Sequence, residues 1–291
     1  MTGFLDGRVV IVTGAGQGLG RAYAVEAAGR GAAVVVNDVD PELAERVAGE
    51  IAGRGGEAVA TKGSVADWDD AATLSETAVR AFGRLDGLVN NAGVFHLAPA
   101  EEEQESLVRQ AVEVNLLGTL FCGTHAIRTM IGCGNGGAIV NVTSGYQSGV
   151  ATGGTYAATK GAIASLTYSW ALEGRRHGIR VNAVAPMART RMTEYALDRL
   201  RATGERSAVP ASNPPESVAP LVALLLAEGT GASGQVIRFD GRLLAVVGHP
   251  GKLEGVVEQE AWTVDQLDEA LRGPLKASMQ PVGLEPVRFE E

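Results

Sequence analysis

Tyr156 and Lys160 stand four residues apart in the run Tyr156-Ala-Ala-Thr-Lys160. On a helix that spacing puts them on one face, a turn from each other. A free phenol ionises near pH 10, too high to act unaided as a general base at neutrality. An ammonium one turn away favours the phenolate, and a positively charged cofactor ring favours it further. Bringing the pKa to near 7 takes about 3 units, roughly 4 kcal/mol of differential stabilisation. Taken alone, a pair at this spacing is more often a packed ring and a solvated amine. The rest of the chain reverses that reading.

A second chemical signal lies near the start. Residues 8–12 read as a short buried strand, a β-branched run that opens into Thr13-Gly14-Ala-Gly16-Gln-Gly18-Leu-Gly20 and then a helix over 21–30. Glycines there let the backbone turn sharply and approach a pyrophosphate, while the helix N-terminus offers unpaired N–H groups and a positive dipole end. The spacing is Gly14-xxx-Gly18-x-Gly20, not the strict GxGxxG. A second strand, 32–37, ends at Asp38, at about the expected distance from the glycines. A carboxylate there can accept from both hydroxyls of an adenosine ribose and would repel a 2′-phosphate. Val39 supplies no arginine to receive one. NAD is therefore expected in preference to NADP; the plainer alternative for Asp38 is a loop cap.

The elements that must position these groups follow in alternation. Helices are expected over 41–52 and 68–82, and strands over 58–62 and 87–90, the last leading into Asn90-Asn91-Ala92-Gly93. Small and amide residues at the C-terminal end of a strand suit the crevice where such sheets bind ligands. Glu101, Glu102, Glu103 and Glu105 look like the acidic first turn of a long helix and read as a solvated face, not a site. That helix carries Asn115 among Val112, Val114, Leu116 and Leu117, where a buried amide must find partners. It is either a satisfied structural residue or part of a polar relay. A fifth strand, 138–142, ends in Thr143-Ser144 and leads through a glycine-rich loop to the Tyr156 helix. A sixth, 179–184, precedes Pro186-Met187 and a long polar segment of the kind that forms a lid over substrate. Pro214 and Pro215 open a helix with an apolar face through Leu221 to Leu226, and 235–239 makes a seventh strand. Strands alternating with helices mean an α/β fold, a Rossmann-type doubly wound parallel sheet of seven strands. Residues 1–240 form the dinucleotide-binding and catalytic domain. Residues 241–291 form a C-terminal extension of unread role, with a possible strand (243–247) and a short helix (263–271); an oligomer arm and a cover over the pocket are both open.

Composition excludes several other functions. The 291 residues, 45% hydrophobic and 20% charged, suit a globular protein. A net charge of -9 argues against nucleic acid or an anionic membrane as partner. No apolar stretch reaches membrane-spanning length. Cys122 and Cys133 form neither a metal spacing nor a disulfide framework, and the four histidines are far apart, so no metal is expected. The first residues lack a signal-peptide pattern and the last five are no peroxisomal address, so the cytoplasm is expected.

Together the TGxxxGxG loop at Thr13 to Gly20, Asn90-Asn91-Ala92-Gly93, Asn115, Ser144 and Tyr156-xxx-Lys160 resemble the short-chain dehydrogenase/reductase family, in the family's order and over about residues 8 to 240. A more local likeness is to the (3R)-hydroxyacyl-CoA dehydrogenase unit of peroxisomal multifunctional enzymes and bacterial relatives. It rests on Gly18-Leu-Gly-Arg-Ala-Tyr-Ala24, Val34-Val-Val-Asn-Asp38, Ala185-Pro-Met-Ala-Arg-Thr-Arg-Met-Thr193 and Pro215-Glu-Ser-Val-Ala-Pro-Leu-Val222. The family resemblance implies that Tyr156 exchanges the hydroxyl proton and that Lys160 holds the nicotinamide ribose and lowers the Tyr156 pKa. Ser144 would hydrogen-bond the reacting oxygen, and Asn115 would support a water linking Lys160 to solvent. It implies cofactor contacts from Gly14, Gln17, Gly18, Leu19 and Gly20, from Asp38, Ser64 and Val65, from Asn90, Asn91, Ala92 and Gly93, and from Pro186 and Thr190.

Some positions depart from the family pattern. Ser144 to Tyr156 is 12 positions (156 minus 144), one fewer than common members show, and Thr143 is a poorer fit to the serine role. Ser64 stands where many relatives place an aspartate against adenine. Met187 replaces the usual glycine and is expected to put a side chain beside the nicotinamide pocket. The function implied is an NAD-dependent oxidoreductase acting on a secondary alcohol or its ketone, a small molecule of the hydroxyacyl thioester, terpenoid or steroid kind, with apolar Val94, Phe95, Met187 and Met192 nearby. An NADPH-dependent ketoreductase of carrier-bound acyl chains and a non-catalytic nucleotide-binding sensor are the alternatives. A homo-oligomer, dimer or tetramer, is expected from the family and from the apolar faces of the Tyr156 helix.

Overall fold

Strand β1 (Val9–Val12) is buried at all four positions, as a strand covered on both faces must be. Its side chains alternate. Val10 and Val12 enter one apolar layer, and Val9 and Ile11 enter the other. The structure is a computed structural model and describes residues 3–203, 213–250, 261 and 263–276. Further strands are β2 (Ala33–Asp38), β3 (Glu57–Lys62), β4 (Gly87–Asn90), β5 (Gly137–Val142), β6 (Ile179–Pro186), β7 (Val236–Phe239) and β8 (Leu244–Val247). They form one sheet in the order β3-β2-β1-β4-β5-β6-β7-β8. The first seven pair in parallel, and β8 runs antiparallel on β7. The expected seven-strand parallel sheet is present, with one more strand turned back at its edge.

Helices α1 (Gly18–Gly29), α2 (Pro41–Gly53) and α8 (Ala219–Leu226) cover one face of the sheet. Helices α3 (Trp68–Phe82), α5 (Gly118–Cys133) and α6 (Gly154–Gly174) cover the other. Local sequence sets their starts: Asp40 accepts from the Glu42 and Leu43 N–H groups ahead of Pro41, and Asp67 does the same for α3. The order reverses between β1 and β4, whose neighbours on either side lead away in opposite directions. A crevice opens at their C-terminal ends.

Three expectations about the helices change. The acidic run is not the first turn of a long helix: Ala100–Glu102 is a single 3-10 turn, and α4 (Glu105–Ala111) begins only after it. Between α4 and α5, Val112–Leu117 is wound as a π-helix, the widened turn that carries Asn115. The long segment after β6 is not loop throughout, because α7 (Arg191–Thr203) occupies its first half; residues 204–212 lie outside the described residues.

The chain divides into two compact units, Met1–Val247 and Gly248–Glu291. The strand expected at 243–247 is β8, paired within the first unit. In the second, α9 (Val264–Arg272) begins at a Thr263 capping box closed by Gln266. Among the described residues no helix is long and apolar enough to cross a membrane.

Candidate active site

A cleft of about 570 Å³ runs along the C-terminal ends of the strands from β2 to β6. Its floor at β1 is the glycine loop: Gly14, Gln17, Gly18, Leu19 and Gly20 all line it. Glycine is required where the loop folds on itself. A Cβ at Gly20 would lie 2.1 Å from the Gly14 carbonyl oxygen, and one at Gly14, where φ is +58°, would lie 2.9 Å from the Ala92 Cα. Gly18, at φ +56°, has open space above it. The first turn of α1 carries no acidic residue and no side-chain cap, so its N–H groups meet no anion from the protein. A loop closed by glycines under an uncapped helix start fits a dinucleotide diphosphate.

Asp38, at the end of β2, is 8% exposed and lines the same cleft. Its Oδ2 accepts from Gly16 N (2.9 Å) and its Oδ1 from Asp40 N (3.1 Å). Each oxygen retains a lone pair for a ribose hydroxyl. The loop-cap reading and the ribose reading are thus compatible. Ser64 and Val65 continue the wall past β3. Ser64 is held by its N–H on Asp70 Oδ2 (2.8 Å), and Val65 packs so tightly on Gly118 that a Cβ there would meet it at 2.6 Å.

The four residues after β4 divide their work. Asn91 donates from Nδ2 to the Thr13 and Gly14 carbonyls (2.9 and 3.1 Å), clamping the glycine loop, while Ala92 N donates to Thr13 Oγ1 (3.0 Å). Asn91, Ala92 and Gly93 line the cleft. Asn90 does not: its amide turns into the sheet and donates to Asn141 Oδ1 at 2.9 Å.

Tyr156, Lys160 and Ser144 meet at the cleft's centre. Lys160 Nζ donates to the Val142 carbonyl (2.8 Å) and lies 5.5 Å from the centre of the Tyr156 ring. Burial pulls the Lys160 ammonium down to about 8. Burial also pushes the Tyr156 phenol up to about 12, against which the Ser144 hydroxyl pulls down. In the protein without cofactor, desolvation is thus the dominant influence on the phenol, and the expected lowering of its pKa is absent. Removing the phenol from water disfavours its anion. Thr143 ties β5 to α6 by donating to the Lys160 carbonyl (2.8 Å), which takes it out of competition for the Ser144 role.

Asn115 does not line the cleft; it sits one layer behind, fully buried. Its Oδ1 accepts from Val94 N (2.7 Å), and its Nδ2 donates to Val94 O (3.0 Å) and Thr159 Oγ1 (3.2 Å). Its side chain thus fastens the loop after β4 to α6. A Cβ on Gly93 would sit 3.2 Å from Asn115 Oδ1 and 3.8 Å from Lys160 Nζ, so the amide and the amine share one neighbourhood.

On the far side of Tyr156 stands an aromatic wall. Phe95 and Tyr146 pack edge-to-face on the Tyr156 ring at 4.8 and 5.6 Å between centres, and Tyr195 packs on Phe95 at 6.0 Å. Val94, Pro186, Thr190 and Met192 add to the lining. Met187 does not. Its sulfur accepts from Arg238 Nε and Nη2 on β7 (3.1 and 2.9 Å), so the expected side chain beside the nicotinamide pocket is turned away from it.

Two positions packed around the site escaped the sequence. Tyr146 is one; its only signal was an aromatic two residues past Ser144. Glu103 is the other. Far from belonging to a solvated face, it accepts from Thr155 Oγ1 (2.6 Å), beside Tyr156, and from His96 Nε2 (2.8 Å). Nothing in a run of three glutamates distinguishes the one that turns inward.

A sequence model of the family described as short chain dehydrogenase matches residues 8–200. The chain is 40% identical over 244 residues to cis-4-hydroxycyclohexanecarboxylate dehydrogenase of Sinomonas cyclohexanicum, covering 82% of this chain and 97% of that one. It is 37% identical over 244 residues to the peroxisomal multifunctional enzyme type 2 of Drosophila melanogaster, covering 80% of this chain and 38% of that longer protein. The crystal structure of a short chain dehydrogenase from Mycobacterium avium matches with a TM-score of 0.80 and 38% identity, over 95% of each chain.

Proposed function

The chain belongs to the short-chain dehydrogenase family, oxidoreductases acting on alcohol or ketone groups with nicotinamide cofactors, and we propose that it interconverts a secondary alcohol and its ketone using NAD. The observation that supports this most is the single cleft that joins the glycine loop and Asp38 to Ser144, Tyr156 and Lys160. Bound NAD would supply the hydride acceptor and a positive ring charge.

In this reading Gly18 and the start of α1 would hold the diphosphate, and Asp38 would hold the adenosine ribose. Asp38, already short of solvent, disfavours a 2′-phosphate by like charge. Tyr156 Oη takes the proton of the substrate hydroxyl as hydride leaves the same carbon, or returns it in the reverse direction. Ser144 Oγ donates to the oxygen as it becomes a carbonyl, beside the apolar rings of Phe95 and Tyr146 packed on Tyr156. Lys160, kept close to its ionisation point, offsets the negative charge on Tyr156 as that charge forms. The aromatic wall favours a substrate with a bulky apolar body, such as a hydroxyacyl thioester, a terpenoid or a steroid-like alcohol. The Sinomonas relative, named for a ring alcohol, adds cyclic alcohols to that group.

Residues 1–240 carry the binding and the chemistry, with 241–291 an extension beyond them. We infer a cytoplasmic homo-oligomer, a dimer or tetramer; the free thiols Cys122 and Cys133 suit a reducing compartment. Tyr156→Phe is the deciding variant. It keeps the ring packing and removes only the acid/base oxygen, so alcohol-dependent NADH formation should fall on the order of a thousandfold while NAD binding persists. Turnover near that of the unaltered chain would sink the reading.

A further inference from the structure

Among the described residues lining the cleft, three are charged: Asp38, Lys160 and Arg191. Asp38 is engaged by backbone N–H groups beside the glycine loop, and Lys160 is engaged by the Val142 carbonyl. Arg191, the first residue of α7, has no ion-pair partner among the described residues. Glu194, the acid nearest it on that helix, pairs instead with Arg189 at 3.0 Å. The position of Arg191 relative to the chemistry follows from helix geometry. Tyr195 is four residues on, on the same face. The Tyr195 ring packs on Phe95, and Phe95 packs on Tyr156. Arg191 therefore stands about one helical turn from a ring of the aromatic wall and lines the same cleft as Tyr156. Val94, Met192 and Leu197, all apolar, line the cleft with them.

We propose that Arg191 receives a carboxylate carried by the substrate, so that the physiological alcohol is a hydroxy acid whose hydroxyl and carboxylate are separated by an apolar chain or ring. This rests on the dehydrogenase reading above. A guanidinium presents a planar fork that matches two carboxylate oxygens, and an exposed one with no acid beside it is open to a ligand. The apolar residues that line the cleft with Arg191 and Tyr156 disfavour polar substituents on the body of the substrate and leave the guanidinium as the partner for an anionic end. The reacting carbon keeps the balance already described, one proton to Tyr156 and one hydride to the nicotinamide.

The test uses the full-length protein with NAD and paired probes: hydroxycyclohexane carboxylic acids and (ω−1)-hydroxy fatty acids, each against its methyl ester. The unaltered chain should prefer the free acid by about 10- to 100-fold in kcat/KM, the range for a hydrogen bond to a charged group. Most of the preference should appear in KM and shrink with added salt. Arg191→Gln should bring the acid-to-ester ratio close to one, Arg191→Lys should restore part of it, and Arg191→Glu should invert it. A gain in melting temperature with the acid probe in the presence of NADH, lost in Arg191→Gln, gives a readout independent of turnover. Turnover of esters as fast as acids by the unaltered chain would overturn the inference and leave the dehydrogenase reading standing. So would an Arg191→Gln variant whose KM rises for NAD and not for the acid, which would place the guanidinium on the cofactor. Failure of every probe and of neutral secondary alcohols alike would bring down both.

Discussion

At the scale of single residues, the buried pair Tyr156 and Lys160 is the chemically decisive feature. Both are held in forms that resist charge: the phenol is pushed up to about 12 and the ammonium down to about 8. That has a measurable consequence for stability. Below pH 8 Lys160 is charged in folded and unfolded chain alike, and the folded state carries the full desolvation penalty. Between pH 8 and 10.5 the unfolded chain still binds the proton and the folded one does not, so stability rises with pH. Comparing urea denaturation of the cofactor-free protein at pH 7 and 9.5, the unaltered chain should gain about 2 kcal/mol relative to Lys160→Met. A variant with the same pH slope as its parent would show that the amine is solvated. At Asp38 the matching test is cofactor titration. NADH should bind at least tenfold more tightly than NADPH, and Asp38→Ala should narrow the gap by removing the like charge. A tighter complex with NADPH would overturn the ribose reading.

At the scale of elements, what aligns Tyr156 is the means by which α6 is held. This helix starts at Gly154 with no side-chain cap of its own. Glu103 supplies from another segment what the local sequence lacks, a carboxylate at the helix start that also binds Thr155 and His96. Burial pushes the Glu103 carboxyl up, but the bonds from Thr155 and His96 outweigh it and leave its pKa below the usual range. Its contribution is therefore present at neutrality and lost as pH falls through that lowered value. Glu103→Gln keeps the shape and removes the charge. It should destabilise the protein by about 1–2 kcal/mol, measured as a lower urea midpoint at pH 7, and should lower kcat by loosening the turn that carries Tyr156. The π-helix works from the other side. By widening the turn at Val112–Leu117 it sets the Asn115 amide against Val94 and Thr159, so that α6 is fixed to the loop after β4 as well.

At the scale of the whole molecule, the parallel sheet brings into one cleft residues from Gly14 to Leu197, far apart along the chain. The exposed side of α6 bears on assembly. Leu172 is 78% exposed, whereas Trp170, Ile163 and Ala164 are buried against the sheet and α5. The expectation that α6 is apolar on several faces thus splits, most of its apolar residues covering the core and Leu172 facing outward. In the proposed homo-oligomer that outward side is covered by a second copy. Sedimentation at micromolar concentration should give a dimer or tetramer, and Leu172→Glu should shift it toward smaller species. A monomer at that concentration would count against assembly.

The amino-acid sequence by itself determined the alternating strands and helices, the glycine loop with Asp38, and the set Ser144, Tyr156 and Lys160. Those features are written in local patterns: burial of β-branched runs, glycine where the backbone must close on itself, and the four-residue spacing of one helix face. Tertiary structure alone decided the inward turn of Glu103, the π-wound segment around Asn115, the retreat of Met187 toward Arg238, and the antiparallel β8. It also decided that burial raises the phenol pKa in the cofactor-free protein. Each of these depends on which distant groups a side chain meets and how much water remains around it, and neither quantity is carried by the order of residues in a segment.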